Sequence, residues 1–508
     1  MQQNTNKQPL VIHPFLLATY SVLAILAANI EEAKLRAGIR PLLLSLLATT
    51  ILYLLLRLVL KNKLKSGLIT SLMILLFFSY GHVYNFIEEQ SIFGVVIGRH
   101  RWLVVLWIAL FMLGIWLIIY KIRNTQTATE YLNLITAIVL IFPFAQIGLY
   151  SYRTQFQAPT GYAANTEFTK LTPPENQSLP DIYYIILDGY SRDDILEKHY
   201  QLDNNEFLNS LEDMGFYVAR CSQSNYAQTQ LSLASSLNFN YLENIDPRYT
   251  VGNTSRIGLS ELIQNSALQQ ALKSLGYTIV SFDSGYEPTR LREADLYLSP
   301  NVVADINDFE NLLVRTTLAR LFAEGIAFLN FPPDWEARDQ AHRERILFTF
   351  NELEGLPSMP GPKFVFAHII SPHWPHVFGP NGEPVHEQPD SVSGYRNQVL
   401  FINSQIEQII DTLISQSDQP PIIIIQGDHG SIIESPQRRM SILNTYYLPQ
   451  DGNLALYDVI SPVNTFRLVL DYYFAGDIPL IEDTSYYSQY DDPYNYQVIP
   501  NRRPECEM

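Results

Sequence analysis

Long apolar stretches dominate the first third of the chain, from about Val11 to Ile30, Pro41 to Leu60, Gly67 to Ile87, Trp102 to Tyr120 and Tyr131 to Tyr150. Each approaches the roughly 20 residues that a helix needs to cross a bilayer. The pattern therefore predicts an N-terminal multi-span helical domain of about five helices over residues 1–150. The third stretch is the weakest, because Tyr80, His82, Tyr84 and Asn85 dilute its second half. No small-residue cleavage site precedes Glu31 and more spans follow, which argues against a cleaved leader. No Asp, Glu or Lys sits in mid-span, which argues against an ion or proton path.

The pattern changes after Tyr150. Residues 151–180 are polar, with PTG, TPPENQ and SLP, and read as a linker. Beyond it, short runs that are apolar throughout alternate with helical patterns. DIYYIIL ends at Asp188-Gly189, YTIVSF at Asp283, KFVFAHII at Ser371-Pro372, and PIIII leads into Gly427-Asp428-His429. Between the last two runs, Val399, Ile402, Ile406, Ile409, Ile410 and Leu413 recur at helical spacing. Such strands are those of a mainly parallel sheet covered by helices on both faces, so residues 181–508 are predicted to form an α/β domain. Ligands bind beyond the carboxyl ends of strands in such sheets, and polar residues cluster at those ends here.

Charge narrows the function. The net charge of −17 argues against nucleic acid, whose phosphates are bound mainly by Lys and Arg surfaces. It leaves anionic substrates open, since a metal ion can supply positive charge locally. Lys61, Lys63, Lys65, Lys121 and Arg123 fall in loops that face the cytoplasm if the N-terminus is inside. Glu31, Glu32, Glu88 and Glu89 fall in the outer loops, together with Lys34, Arg36, Arg40, Arg99 and Arg101. This modest bias favours an odd number of spans and an extracytoplasmic C-terminal domain. Cys221 and Cys506 are the two cysteines, and they could pair or remain free thiols.

Gly427-Asp428-His429-Gly430 sets a carboxylate and an imidazole at a strand end, between glycines that permit a sharp turn, which suits a divalent metal. The plain alternative is a surface turn. Asp188 ends DIYYIIL in the same way, where a turn or helix cap is the ordinary reading. Together, IILDGYSRDD and IIIIQGDHGS resemble the first and last metal motifs of the alkaline-phosphatase superfamily. NYAQTQLSLASSLN is similar to that superfamily's nucleophile segment, with Thr229 as the implied nucleophile and Ser232 as runner-up; by itself Thr229 also suits a helix N-cap. Ser371-Pro372-His373-Trp374-Pro375-His376 resembles the motif of the membrane-bound branch whose His contacts the transferred group. His373 is the first choice for that role and His376 the second, while His368 reads as a residue buried within its strand.

The whole plan resembles lipoteichoic acid synthase and lipid A phosphoethanolamine transferases. Carried over, the resemblance implies one Zn or Mn ion held by Asp188, Thr229, Asp428 and His429, with Thr229 and His373 catalytic and His373 and His376 binding substrate. The formylglycine motif of true sulfatases is absent, and no His follows His429, which favours one metal over two. The expected activity is transfer of a phospho-alcohol group from a membrane lipid to a cell-envelope acceptor such as a glycan, through a phospho-Thr intermediate. Hydrolysis of phosphate or sulfate esters is the alternative within the class. A non-catalytic glycan- or protein-binding module is the alternative outside it. The expected location is a bacterial inner membrane; the oligomeric state is not readable.

Overall fold

The structure, a computed structural model, describes residues 8–30, 35–87, 91–92, 95–96, 100–156, 171–172, 178–300, 308–323, 334–386, 391–431, 435–503 and 506. Glu31, Glu32, Lys34, Glu88, Glu89 and Arg99 of the outer loops lie outside the described residues, as does most of the stretch read as a linker. The chain forms two compact units, one of residues 1–161 and 304–336, the other of 162–303 and 337–508.

The first unit is built on α1 (His13–Ala28), α2 (Ile39–Leu60), α3 (Lys63–Ile87), α4 (His100–Trp116) and α5 (Thr125–Phe156). Among the described residues, four helical stretches, Leu35–Leu60, Lys63–Ile87, Trp102–Lys121 and Thr125–Tyr152, are long and apolar enough to cross a membrane. The first predicted span forms a shorter apolar helix of 16 residues. Asn133 on α5 accepts hydrogen bonds from the Ile12 and His13 N–H groups, serving donors that a helix start leaves unmet. The later helix Asp308–Thr316 belongs to this unit as well. Glu310 on it pairs with Arg40, and Gly81 on α3 lies so close to the Arg315 carbonyl that no Cβ would fit. A cavity of about 910 Å³ opens among these elements, lined by Leu44, Ala48, Phe77, Trp107 and Leu313, with Arg40 and Glu310 also on its wall.

The second unit centres on a seven-stranded sheet. Its strands are β1 (Ile182–Leu187), β2 (Tyr217–Val218), β3 (Thr278–Phe282), β4 (Leu296–Leu298), β5 (Lys363–Ile369), β6 (Ile422–Gly427) and β7 (Asn444–Tyr447), in the order β2-β7-β6-β1-β5-β3-β4. From β6 to β4 all neighbours are parallel, while β7 is antiparallel to both β6 and β2. Every residue of β1 is 0 % exposed. Ile182, Tyr184 and Ile186 enter one core, and Tyr183, Ile185 and Leu187 enter the other. Strands buried on both faces are apolar throughout, which is why these runs show no alternation. Each buried Ile contributes roughly 1.5–3 kcal/mol by leaving water.

Three helices matter for the site or its support: α6 (Thr229–Ser236), α7 (Val392–Gln416) and α8 (Pro462–Phe474). The apolar stripe predicted on α7 is buried from Val399 to Leu413, and Ser391 caps its start by accepting the Gly394 N–H.

Candidate metal centre

Strand periodicity explains how three distant residues meet. Ile186 of β1 sits beside His368 of β5 and Gln426 of β6 in the parallel register. Side chains alternate between faces, so Asp188, His368 and Asp428 extend from the same face at the carboxyl end of the sheet. Each offers a ligand atom, all lying within 4.8 Å of one another, and the three could hold a metal ion. Asp188, Asp428 and His429 are 4 %, 2 % and 1 % exposed, so the group is nearly dry.

Glycine permits this crowding at two points. Gly189 adopts a φ of +73°, and its N–H donates to Asp428 Oδ1 at 3.0 Å, tying the end of β1 to that of β6. A Cβ on Gly430 would meet the Arg438 carbonyl at 2.2 Å, so no other residue fits without moving backbone.

Thr229 joins the cluster from α6. It is the first residue of the helix, while Gln228 takes the cap position, so its hydroxyl is not spent on capping. Thr229 Oγ1 lies 3.2 Å from His429 Nε2. That nitrogen is also 3.4 Å from Asp428 Oδ2 and 3.6 Å from Asp188 Oδ1. His429 Nδ1 lies 2.9 Å from the Gly430 carbonyl, which can only accept, so Nδ1 carries the proton and Nε2 presents a bare lone pair. Burial, then nearby Arg439, pushes the His429 imidazole down to about 4, so it is neutral at physiological pH. Burial raises the Asp188 carboxyl, but His373 and then the other histidines together hold it well below the usual range. A buried carboxylate beside a neutral imidazole is a ligand set for a divalent cation.

Unmet atoms test that fit. Among the described residues, Asp188 Oδ1, Asp428 Oδ2 and His368 Nε2 are buried without a hydrogen-bond partner. Burying carboxylate oxygens unpaired costs several kcal/mol. A dication among Asp188, Thr229, Asp428 and His429 would relieve that cost, so the residues present fit the ion.

His373 reaches the same place from the loop after β5. Its backbone N–H donates to the Asp188 carbonyl at 2.9 Å, and its ring centroid is 6.2 Å from that of His429. His373 Nδ1 donates to the Trp374 carbonyl at 2.6 Å, which leaves Nε2 for chemistry. His376 packs edge-on against Tyr395, whose hydroxyl donates to the Gly189 carbonyl. Ser232, the runner-up to Thr229, is buried at 1 % exposure.

Two contributors escape a reading of motifs. His368 does lie within its strand, as read from sequence, and it also faces the cluster, with Nε2 3.3 Å from Asp188 Oδ2. The available signal was parity, since Phe364, Phe366 and His368 share one face of β5. Arg439, readable as a solvated loop residue, donates to the Ala227 and Gly430 carbonyls and staples the Thr229 segment to the loop after β6. Asn225 anchors that segment from behind, bonding Ser461, the Thr484 carbonyl and the Val463 N–H. Cys221 and Cys506, left open by the sequence, form a disulfide with Cα atoms 5.6 Å apart.

The sulfatase family model matches residues 180–458. No curated protein matches the chain. Among solved structures, the C-terminal periplasmic domain of EptC from Escherichia coli in complex with Zn is 12% identical, with a TM-score of 0.45 over 65% of this chain and 94% of that one. The integral membrane lipooligosaccharide phosphoethanolamine transferase A of Neisseria meningitidis is 12% identical, with a TM-score of 0.40 over 91% of this chain and 94% of that one.

Proposed function

The chain belongs to the sulfatase family of the alkaline-phosphatase superfamily, and from that premise we propose that it is a metal-dependent transferase. It moves a phospho-alcohol group from a membrane lipid to an extracytoplasmic acceptor through a phospho-Thr229 intermediate. The observation that carries this reading is the meeting of Thr229 Oγ1 and His429 Nε2 beside two buried carboxylates with unmet oxygens.

Asp188, Thr229, Asp428 and His429 would hold one Zn or Mn ion. When bound, such an ion lowers the pKa of a nearby hydroxyl and offsets charge on a phosphoryl group. The chain's own residues do the rest. Thr229 Oγ, having lost its proton to solvent, attacks phosphorus, and the bond to the lipid alcohol breaks. His373, protonated at Nε2, gives that proton to the departing oxygen. The acceptor hydroxyl then returns a proton to His373 Nε2 as its oxygen attacks phosphorus and the bond to Thr229 breaks. The start of α6 adds backbone N–H groups and a positive dipole end, which favour a phosphoryl group. His376 acts one layer behind, through Tyr395.

A lipid donor is supported by the apolar helices and by the apolar cavity in the first unit. The disulfide supports an oxidising, extracytoplasmic setting for the second unit, in a multi-pass protein of a bacterial inner membrane. To test the reading, the detergent-purified chain is given a phospholipid labelled in its headgroup, with and without an alcohol acceptor. Label should move only when the acceptor is present. Release to water at the same rate without it would make the protein a hydrolase, and no reaction with any ester would leave a binding module.

A further inference from the structure

The side chain that the motifs miss has more to do. Resting on the reading of the strand-end cluster as a metal centre, we propose that His368 is a further ligand of the same ion, with Thr289 as its positioning residue.

His368 is 2 % exposed and its ring is anchored at Nδ1. Nδ1 lies 2.8 Å from Thr289 Oγ1, on the loop that follows β3. Thr289 is itself fixed, 2.8 Å from Ser284 Oγ and 3.2 Å from the Tyr286 carbonyl. Ser284 in turn accepts the Tyr286 N–H at 3.1 Å. On the other side, Nε2 has no aligned partner among the described residues. Thr289 Oγ1 donates to the Tyr286 carbonyl, so its lone pair is open to a proton on Nδ1, and that bond is better aligned than one from Nε2 to Asp188. The tautomer with Nδ1–H therefore wins, and the bare Nε2 lone pair faces Asp188 Oδ2 at 3.3 Å. Two acceptors that close in a dry site repel each other unless a cation lies between them.

The arrangement is that of a metal-ligating histidine, whose second ring nitrogen is almost always oriented by an outer partner. Asp188 then serves both histidines, with Oδ1 toward His429 and Oδ2 toward His368. Two imidazoles beside two carboxylates and a hydroxyl make a donor set suited to a borderline dication of the zinc type, rather than to magnesium or calcium. The loop from Asp283 to Arg290 thereby becomes part of the metal centre.

Zinc alone, added to the detergent-purified full chain, tests this without any substrate. X-ray absorption at the zinc edge should count two imidazoles in the natural protein and one in His368→Ala. Thr289→Val, which keeps the shape of the side chain, should weaken zinc binding by about 10–100-fold. A competing role, in which His368 merely donates a hydrogen bond to Asp188, would leave His368→Gln with unchanged zinc affinity and an unchanged imidazole count. Either that result or a single imidazole in the natural protein overturns the proposal while leaving the metal centre intact. Absence of bound zinc overturns both.

Discussion

The ends of β1 and β6 and the end of β5 build the same site in different ways. On β1 and β6, the clustered carboxylates come just after the apolar run, beside glycines that turn the chain. On β5, the residue that faces the cluster is inside the run, and its neighbour in space, Thr289, comes from a loop about eighty positions away in the sequence. The first arrangement interrupts the hydrophobic pattern and so announces itself. The second is hidden, because a histidine among Phe364, Phe366 and Ile369 satisfies the burial pattern whether or not it binds anything. A strand end can thus carry chemistry on its last inward-facing residue without any motif.

The largest effect expected is on the motif-bearing side. Thr229→Ala should reduce turnover to background while the circular dichroism spectrum of the protein stays near normal. Ordinary turnover in that variant would remove the covalent scheme. The loop after β5 gives a finer contrast. His373→Gln should lower the rate by about 10²–10⁴-fold, the range for loss of a general acid–base. His376→Gln, which disturbs the packing on Tyr395, should cost a few-fold. Equal losses from both would show that the two histidines share the substrate.

The loop that carries Thr289 can be loosened at its root. Asp283 forms an ion pair with Arg290, Oδ1 to Nε 2.6 Å, and faces Arg345, with Asp283 and Arg290 both buried. Burial raises the Asp283 carboxyl, but Arg290, the Gly285 N–H and Arg345 together bring it below the usual range. The folded state therefore binds this proton less tightly than the unfolded chain. Its stabilising effect is full above roughly pH 4 and is lost as pH falls through the lowered value. Asp283→Asn should destabilise the protein by about 3–5 kcal/mol at neutral pH, and its denaturant midpoint should converge on that of the natural protein in acid. A gap that persists unchanged in acid would mean that the ion pair is not the cause.

A smaller shift is expected from Cys221→Ser with Cys506→Ser. Loss of a native disulfide costs about 2–5 kcal/mol in a small domain. The many hydrogen bonds around Asn225 and Ser485 should keep the cost here at the low end. Thermal unfolding in detergent measures it, and a collapse of zinc binding would instead make the disulfide part of the site.

The two strand ends also show what was legible. Apolar runs that show no period of two reveal a doubly covered parallel sheet, because burial on both faces removes the need for alternation. Asp188, Asp428 and His429 are legible because polar residues next to glycine have no packing reason to end such a run. Arg439 was not, since nothing in a sequence distinguishes a guanidinium that reaches two carbonyls from one in water. Nor was the packing of Asp308–Thr316 with the helices of the first unit, because its local pattern is that of any amphipathic helix. The disulfide joins residues 285 positions apart, a pairing that only the fold reveals.

The central claim is that these strand ends hold a metal ion, and elemental analysis tests it most directly. The detergent-purified chain should carry about one equivalent of zinc or manganese, and the Asp428→Ala/His429→Ala variant should carry almost none. Absence of metal from both proteins, even after reconstitution with zinc, would contradict the account.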